Sequence, residues 1–446
     1  MVYVCKFGGT SLANAERIHR VYEIIKDNPN RKYIVVSAPG KENANDIKVT
    51  DLLIKCAEIY FKKEELSDEF WLLYKKFEQI CDQLNIDMPL ESRLQKRVKS
   101  LNEHKSEEEY FDYVKATGER LNAELIARYL LAQGVNTKLV LPEEYGLVVS
   151  SEFGNALPLH EAYNNLKILQ EIQEVVVIPG FYGITKEGKI ATFARGGSDL
   201  TGAVIAKAVN AEVYENFTDV DGIFAANPKI VANPKKIDVL TYEEMRELSY
   251  MGTTALQEEA VFPCVEAQIP IHLRNTFNYP NQGTLIVNKR EPSELVSGIA
   301  VKDGFISINI KKWLMNREKG FCKKLFDIVY EEDVSFEHMP GAIDNLSLVI
   351  HESQLGNKLE RLCLKIKEKL RPDSLEIDDE LSLICVVGIG MKYTPGIASR
   401  ATGALAREKI NIRIMNQGAS EINMIFGVKN KDAKKAVNAL YKEFFM

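Results

Sequence analysis

The last third of the chain contains one module twice, and this repeat constrains the fold more than any other feature of the sequence. Residues 315–350 align with residues 391–426 without a gap. The shared apolar positions alternate with period two, as Leu346, Leu348 and Ile350 align with Ile422, Met424 and Phe426. Each copy has the pattern strand, glycine-started helix, strand, strand, helix, which is typical of a ferredoxin-like βαββαβ module. The sequence therefore predicts two such modules, over residues 300–375 and 376–446.

Residues 1–292 have a different pattern, in which strand-like and helix-like segments alternate. Short β-branched or aromatic runs predict strands over Val2–Cys5, Tyr33–Ser37, Glu174–Ile178, Lys189–Phe193 and Ala211–Phe217. A helix is predicted over Thr201–Val209, and a charged, helical insertion over about residues 55–130. This alternation predicts an α/β domain with a mostly parallel sheet, which binds ligands at the carboxyl ends of its strands.

Length and charge limit the classes of protein that the chain can belong to. With 446 residues it is too long for one hydrophobic core. A net charge of −6 argues against a nucleic-acid or anionic-membrane partner. The start of the chain lacks the pattern of a signal peptide, and its 7 cysteines form no C-x-x-C pair, so we expect a cytoplasmic protein with reduced thiols. The 6 histidines form no metal-binding motif, so no protein metal site is predicted.

The first chemically informative stretch is Lys6-Phe7-Gly8-Gly9-Thr10-Ser11, directly after the first predicted strand. Paired glycines allow backbone N–H groups to converge on an anion, and a helix start near Ser11 would add its positive dipole end. Lys6 would supply a full charge. A plain Gly-Gly turn after an edge strand is the simpler alternative, and this stretch alone does not decide between the two.

A second stretch, Ala194 to Thr201, repeats the same arrangement of strand, paired glycines and helix. It adds Arg195, whose guanidinium suits a carboxylate or a phosphate. Asp199 lies near the helix start, where a lone acid most often caps the helix, but opposite a phosphate-binding lysine it would orient that lysine. Three further stretches carry polar groups beside predicted elements: Lys48-Val49-Thr50-Asp51, Thr117-Gly118-Glu119-Arg120, and Asn216-Phe217-Thr218-Asp219-Val220-Asp221.

Taken together, these stretches, Ser37 and the paired C-terminal module resemble the monofunctional aspartate kinases. Members of that family join a catalytic domain of the amino-acid-kinase fold to two regulatory ACT domains. The resemblance runs from residue 1 to about residue 440. It implies ATP-dependent phosphorylation of the β-carboxylate of L-aspartate, the first step towards lysine, threonine and methionine, with Mg²⁺ arriving on ATP.

The resemblance also implies roles for individual residues. Lys6, Gly8, Gly9 and Thr10 match the ATP phosphate site, and Asp199 matches the residue that orients Lys6. The nucleotide contacts would include Thr218, Asp219 and Lys229. The aspartate site would comprise Ser37, Thr50, Glu119, Arg195, Gly196, Gly197 and Ser198.

Three positions depart from the family pattern. Thr254 replaces a lysine that contacts the nucleotide, Gln257 replaces a histidine, and Phe224 replaces a tyrosine. These changes concern the base and ribose contacts rather than the phosphate site. Two other functions stay open on the sequence: a kinase for glutamate or N-acetylglutamate, and an amino-acid sensor without catalysis. The helical insertion and the tandem repeat argue against the first, and intact Lys6, Asp199 and Arg195 argue against the second.

Regulation is expected in the first repeat copy, which begins with a predicted strand over residues 305–310 and a helix near Glu318. The resemblance implies effector contacts from the main chain near Met315 and from Ser335 and Glu337 on a predicted strand over Val334–Met339. An acid at residue 337 suits a cationic side chain, so lysine is the expected inhibitor, with threonine as the alternative. A homodimer or a dimer of dimers through the ACT domains is expected from the same resemblance.

Overall fold

The computed structural model describes residues 1–194, 196–253, 256–257 and 259–446. These residues form two compact units. The first unit comprises residues 1–223, 238–242 and 255–290, and the second comprises residues 224–237, 243–254 and 291–446. Within the described residues, no helix is both long enough and apolar enough to cross a membrane.

Strands and helices alternate along the first part of the chain, as the sequence predicts. The strands are β1 (Tyr3–Phe7), β2 (Arg31–Val36), β3 (Thr137–Leu139), β4 (Val175–Pro179), β5 (Tyr182–Ile184), β6 (Ile190–Thr192), β7 (Val213–Thr218), β8 (Ile223–Phe224), β9 (Lys236–Ile237), β10 (Val239–Thr241), β11 (Ile271–Asn275), β12 (Thr284–Val287), β13 (Gly298–Lys311), β14 (Asn345–His351), β15 (Ser374–Val387), β16 (Ile414–Asn416) and β17 (Asn423–Lys429).

The helices are α1 (Ala15–Asp27), α2 (Val49–Lys63), α3 (Asp68–Leu84), α4 (Leu90–Val98), α5 (Glu107–Lys115), α6 (Thr117–Ala132), α7 (Pro142–Tyr145), α8 (His160–Asn165), α9 (Gly197–Ala208), α10 (Tyr242–Tyr250), α11 (Phe262–Ala267), α12 (Phe321–Glu331), α13 (Glu352–Leu355), α14 (Leu359–Leu370), α15 (Ile397–Arg407) and α16 (Asn430–Phe445). Short 3-10 helices include Gly9–Leu12 and Met315–Arg317.

A single eight-stranded sheet organises the first unit, in the order β10-β12-β11-β7-β1-β2-β4-β3. Every neighbouring pair is parallel except β11 with β12. The predicted mostly parallel sheet is therefore confirmed. Its central strands are mostly buried, and Val4, Phe7 and Ile34 have no exposed surface, as is typical of a parallel sheet covered on both faces.

The charged segment after β2 forms five helices, α2 to α6, in the region for which the sequence predicts helices. Each helix turns an apolar face inward while its charged residues remain in solvent. Leu53, Phe70, Phe77 and Tyr110 have no exposed surface and share one hydrophobic core with β1 and β2. This core holds the first turns of α2 and α6, which carry Thr50 and Glu119, against the central sheet.

Strand register brings the informative stretches to one edge of the sheet. In the parallel pairing, Lys6 of β1 lies opposite Val35 of β2 and Asn216 of β7. Phe7 likewise lies opposite Val36 and Phe217. The residues that follow these three strands therefore meet at their common carboxyl edge, where parallel sheets bind ligands.

A five-stranded antiparallel sheet, in the order β14-β13-β15-β17-β16, organises the second unit. The long strands β13 and β15 pair along their whole lengths, so the two repeat copies share them. The first copy uses the second half of β13, then α12, β14, α14 and the first half of β15. The second copy uses the rest of β15, then α15, β16, β17 and α16, so the copies correspond in their other elements but the strand β16 has no counterpart between α12 and β14.

Two details of the first copy differ from prediction. The helix predicted near Glu318 starts at Phe321, after the 3-10 turn Met315–Arg317 and a left-handed Gly320 with φ 80°. The strand predicted over Val334–Met339 is wrong, since only an isolated bridge joins His338 to Val349. Phe336 instead stacks on Phe326 of α12, with ring centroids 5.7 Å apart, and the backbone hydrogen bonds of the segment to β14 are with Val349, which accepts from Glu337 and donates to His338.

Candidate active site

A buried ion pair lies at the carboxyl edge of the central sheet. Nζ of Lys6, near the end of β1, is 2.6 Å from Oδ1 of Asp199 in the first turn of α9. Their side chains are only 11% and 12% exposed. Nδ2 of Asn216 on β7 donates to the same Oδ1 at 2.9 Å. Three elements that are distant in sequence thus fix the ammonium and the carboxylate against each other.

The glycine pair after β1 permits a close backbone contact. A Cβ on Gly9 would lie 2.9 Å from the carbonyl oxygen of Ala38, and one on Gly40 would lie 2.5 Å from the carbonyl carbon of Gly9. The amide of Gly40 also donates to the carbonyl of Gly9 at 2.8 Å. The loop after β1 and the turn after β2 therefore pack backbone against backbone, which only glycine allows.

The amides of this loop are divided between the sheet and the predicted anion site. Gly8 donates its N–H to the carbonyl of Phe217 at 3.1 Å, so it contributes no N–H group to an anion nest. Gly9 and Thr10 open the 3-10 helix Gly9–Leu12, where the first amides have no partner within the helix. The amides of Gly9 and Thr10, rather than that of Gly8, are therefore the candidate donors to an anion.

The second glycine pair, Gly196-Gly197, begins α9. Gly196 has φ 80° and caps the helix, a conformation that favours glycine. A Cβ on Gly197 would lie 2.7 Å from the ring of Phe181, and one on Gly180 would lie 2.7 Å from Oγ of Ser198. Ser198 is buried at this helix start. Arg195, the residue predicted to bind a carboxylate or phosphate, lies outside the described residues.

Glu119, in the first turn of α6, is a buried acid with no ion-pair partner among the residues that the structure describes. It is 4% exposed, and its Oε2 has no hydrogen-bond partner in the described part of the chain. Burial raises the pKa of Glu119 to about 8, although hydrogen bonds from the backbone, including Ala38, oppose the shift. A buried, unpaired carboxyl at the sheet's ligand-binding edge is suited to a cationic partner that arrives from outside.

Ser37 and Thr50 lie beside Glu119. A Cβ on Gly118, the neighbour of Glu119, would lie 2.9 Å from Cβ of Ala38 and from Cγ1 of Val49, so the turn after β2 and the start of α2 pack on α6. Ser37 and Thr50 flank these two contacts and are both half-buried. The sequence-predicted residues Ser37, Thr50 and Glu119 therefore come together, as do Lys6 and Asp199.

Sequence reasoning assigned no role to two buried asparagines at this edge. Asn122 has no exposed surface, and its Nδ2 donates to the carbonyl of Ser37 at 2.6 Å. Asn216 is the second, through its bond to Asp199. The one available signal for Asn122 was its spacing of three residues from Glu119, which puts both on one helix face.

The nucleotide residues predicted from the resemblance divide between the two units. Thr218 ends β7, and its hydroxyl lies 3.2 Å from Oδ1 of Asp219. Asp221 accepts hydrogen bonds from Asn275 and Asn278 at 2.8 and 3.0 Å, so its carboxylate supports the loop after β11. Lys229 lies in the second unit, exposed on a turn in which its amide donates to Oδ1 of Asn227.

Comparisons with known proteins identify the family of each part of the chain. Residues 1–275 match the family model of the amino acid kinase family, and residues 384–444 match an ACT domain. The chain is 43% identical to aspartokinase 3 of Bacillus subtilis (strain 168), over 99% of this chain and 98% of the other. The chain belongs to the aspartokinases of the amino acid kinase family.

Solved structures extend the comparison to the fold. The crystal structure of Clostridium acetobutylicum aspartate kinase, described as an allosteric enzyme, is 41% identical, has a TM-score of 0.90 and covers 99% of this chain and 100% of that one. E. coli aspartokinase III was solved with aspartate and ADP (R-state) and with lysine and aspartate (T-state). These two structures are 23% and 24% identical, with TM-scores of 0.77 and 0.76 over all of both chains, and they support the fold alone. The protein is thus an aspartate kinase with a C-terminal ACT region.

The residues predicted to bind an effector lie in the second unit of this aspartate kinase. Met315 is buried in the core of the first repeat copy, and Ser335 is exposed. Glu337 is half-buried, its backbone amide donates to the carbonyl of Val349 at 2.8 Å, and its carboxylate accepts a hydrogen bond from the hydroxyl of Tyr250. Ser335 and Glu337 thus lie on one short segment, next to a residue from α10.

In the part of the aspartokinase chain that the structure describes, no group of three or more Asp, Glu, His or Cys side chains could hold a metal ion. A divalent cation that arrives with a nucleotide needs only phosphate oxygens, water and one or two carboxylates. The donor set at the sheet edge is therefore compatible with such a cation.

Proposed function

We propose that this aspartate kinase transfers the γ-phosphoryl group of ATP to the β-carboxylate of L-aspartate, giving 4-phospho-L-aspartate on the route to lysine, threonine and methionine. The observation that carries the proposal is the buried Lys6–Asp199 pair, 2.6 Å apart, between two glycine loops at the carboxyl edge of a parallel sheet. In the proposed domain organisation, residues 1–292 catalyse, and residues 300–375 and 376–446 form the two ACT modules.

Lys6 is the proposed catalytic cation. The γ-phosphoryl group carries its charge on peripheral oxygens, and an ammonium aimed at them lowers the barrier without proton transfer. Asp199 holds the ammonium in place, while Gly8, Gly9 and Thr10 form the wall of the phosphate site. Thr218, Asp219 and Lys229 are proposed to contact the rest of the nucleotide.

The aspartate site is proposed around Glu119. The substrate ammonium would supply an opposite charge, which Glu119 does not receive from any described residue, and an opposite charge favours the ionised carboxylate. Because burial raises the pKa of Glu119 to about 8, binding of the substrate ammonium at neutral pH would release a proton from it. Hydroxyls of Ser37, Thr50 and Ser198, the amides of Gly196 and Gly197, and the guanidinium of Arg195 are the proposed donors to the two substrate carboxylates.

The reaction needs no general base. The acceptor is a carboxylate with an ordinary pKa of about 3.9, so it is ionised at neutral pH. The enzyme must instead bring two anions together, by positioning and by positive charge. Mg²⁺ would neutralise part of the phosphate charge, bound mainly to phosphate oxygens and water.

Feedback control by lysine through Met315, Ser335 and Glu337 is part of the proposal, with threonine as the alternative effector. The side chain of Glu337 accepts a hydrogen bond from the hydroxyl of Tyr250, and an acid at this position suits a cationic ligand. E. coli aspartokinase III, solved with lysine, supports lysine as the first effector to test. A homodimer or a dimer of dimers through the ACT modules completes the proposal.

One assay separates the candidate functions. ADP release is measured with ATP and Mg²⁺ and with L-aspartate, L-glutamate or N-acetyl-L-glutamate as acceptor. Release with aspartate alone is the expected result. Faster release with glutamate or its N-acetyl derivative would replace aspartate as the substrate, and no release with any of the three would leave the sensor function.

A further inference from the structure

Asn216 is a buried side chain that touches the proposed catalytic pair without belonging to either glycine loop. It is 2% exposed and lies on β7 directly opposite Lys6 in the parallel register. Its Nδ2 is 2.9 Å from Oδ1 of Asp199, the oxygen that also lies 2.6 Å from Nζ of Lys6. Oδ1 of Asp199 therefore contacts two donors, the ammonium of Lys6 and the side-chain amide of Asn216, which lie on adjacent strands.

We propose that Asn216 is a positioning residue for phosphoryl transfer, which fixes the carboxylate of Asp199 so that Asp199 can aim Lys6 at the transferred group. This inference rests on the proposed roles of Lys6 and Asp199. Asp199 is the third residue of α9, and an acid in the first turn of a helix has an alternative, attraction to the unpaired amides of that turn. A second donor at Oδ1 holds the carboxylate towards Lys6 instead.

The side-chain amide of Asn216 is neutral, and this affects the balance of charge between Asp199 and Lys6. Asp199 faces the charge of Lys6 from β1, and the hydroxyl of Tyr214 on β7 donates to the backbone carbonyl of Asp199 at 3.1 Å. Burial and the nearby Asp199 raise the pKa of Tyr214, so the phenol stays neutral. A neutral donor at residue 216 leaves the charge of Asp199 balanced by Lys6, whereas an acid there would place two carboxylates together.

The test compares Asn216→Asp and Asn216→Ala with the wild type, using the full chain and the ADP-release assay. Both variants are expected to lower kcat at pH 7 by about 10- to 100-fold, by analogy with the loss of a hydrogen-bond partner that orients a metal ligand. The KM for aspartate and for ATP should stay within about threefold. In Asn216→Asp the two carboxylates would share a proton, so the acidic limb of the kcat–pH profile should move to higher pH.

The matched control is Asn275→Asp. Asn275 is 8% exposed, and its amide donates to Asp221 at 2.8 Å, so the substitution makes the same change away from Lys6. The acidic limb of the kcat–pH profile of Asn275→Asp should lie at the same pH as that of the wild type. An equal shift in this control, or wild-type kcat and pH dependence in Asn216→Asp, would overturn the inference.

Two further measurements keep the outcomes separate. Thermal unfolding identifies a variant that fails to fold, and if Asn216→Asp does so, Asn216→Ala carries the test through kcat with unchanged KM values. Lys6→Ala tests the proposed function itself. Loss of activity in Lys6→Ala together with a wild-type Asn216→Ala would refute the role of Asn216 and leave the proposed function standing, whereas an active Lys6→Ala would refute the proposed function.

Discussion

The hydroxyl of Tyr250 donates a hydrogen bond to the carboxylate of Glu337, and so joins α10 to the proposed effector segment. α10 lies inside the residues matched by the amino acid kinase family, yet residues 243–254 group with the ACT region in the second unit. After α10 the chain returns to the first unit, where Gln257 packs against Gly196 at the start of α9. A ligand at Glu337 would thus compete with the hydroxyl of Tyr250, a residue of α10.

Glu337→Ala is expected to abolish inhibition by lysine at a concentration of about 1 mM, a weak but useful affinity. The variant loses the charge that we propose pairs with the lysine ammonium, and with it a coupling of about 1–3 kcal/mol. The measurement is the rate at each lysine concentration divided by the variant's own uninhibited rate. Unchanged sensitivity to lysine, or inhibition by threonine alone, would contradict the proposed effector site.

Tyr250→Phe provides the contrasting variant. It keeps the aromatic ring, which lies 4.9 Å from Nζ of Lys302, and removes only the hydroxyl that competes for Glu337. Lysine should then inhibit at a concentration about fivefold lower, the equivalent of ~1 kcal/mol for one hydrogen bond. If inhibition instead required a higher lysine concentration than in the wild type, the Tyr250 hydroxyl would support effector binding rather than compete with it.

Lys6→Ala is expected to lower kcat by at least 100-fold, a loss of about 2.7–4 kcal/mol by analogy with a lost oxyanion donor. The control is Lys115→Ala, because Nζ of Lys115 forms a similarly buried pair with Asp112 at 2.5 Å. That variant should lose stability and retain kcat within a few-fold. Near-normal turnover in a folded Lys6→Ala protein would remove Lys6 from the catalytic site.

Local patterns in the sequence were sufficient to predict the sheet and most of the site. Short β-branched or aromatic runs placed β1, β2, β4 and β7 within a few residues, and the paired glycines marked the close contacts around Gly9 and Gly197. Asn216 and Asn122 could not be found in this way, because their partners Asp199 and Ser37 are 17 and 85 residues away in sequence. A single asparagine in a strand or helix has no local pattern that indicates such a contact.

The segment Val334–Met339 shows that a local pattern can also predict an element that the structure does not contain. Its alternating apolar residues suit a strand, but that alternation cannot distinguish packing on a sheet from packing on a helix. Phe336 stacks on Phe326 with the ring planes 4° apart, and pairing with β14 is reduced to a bridge at His338. The sequence also did not predict that residues 243–254 group with the ACT region, because this grouping depends on contacts with residues far away in the chain.

Glu119→Gln is expected to raise the KM for aspartate about 10- to 100-fold, as expected for a charged hydrogen bond worth about 1.5–3 kcal/mol. The KM for ATP should change little. Calorimetric titration in buffers of different ionisation enthalpy should also detect proton release on aspartate binding by the wild type near pH 7, and none from this site in the variant. A rise in the KM for ATP alone would place Glu119 in the nucleotide site.

The same substitution should stabilise the unliganded enzyme in a pH-dependent way. The pKa of Glu119 is raised from 4.5 to about 8 in the folded protein, because burial disfavours its charge. Between these two values the unfolded chain has lost a proton that the folded chain still holds, so this group lowers the stability of the fold progressively as pH rises. Glutamine is neutral throughout and avoids this loss.

Glu119→Gln should therefore match the Tm of the wild type near pH 4.5 and exceed it by about 2 °C or more at pH 8, where the difference levels off. Saturating aspartate should reverse the order at pH 8, because its ammonium stabilises only an ionised residue 119. Thermal scans of both proteins from pH 4.5 to 9, with and without aspartate, measure the two effects. A Tm difference independent of pH would mean that Glu119 is ionised in the folded protein, and that the site already contains its counter-charge.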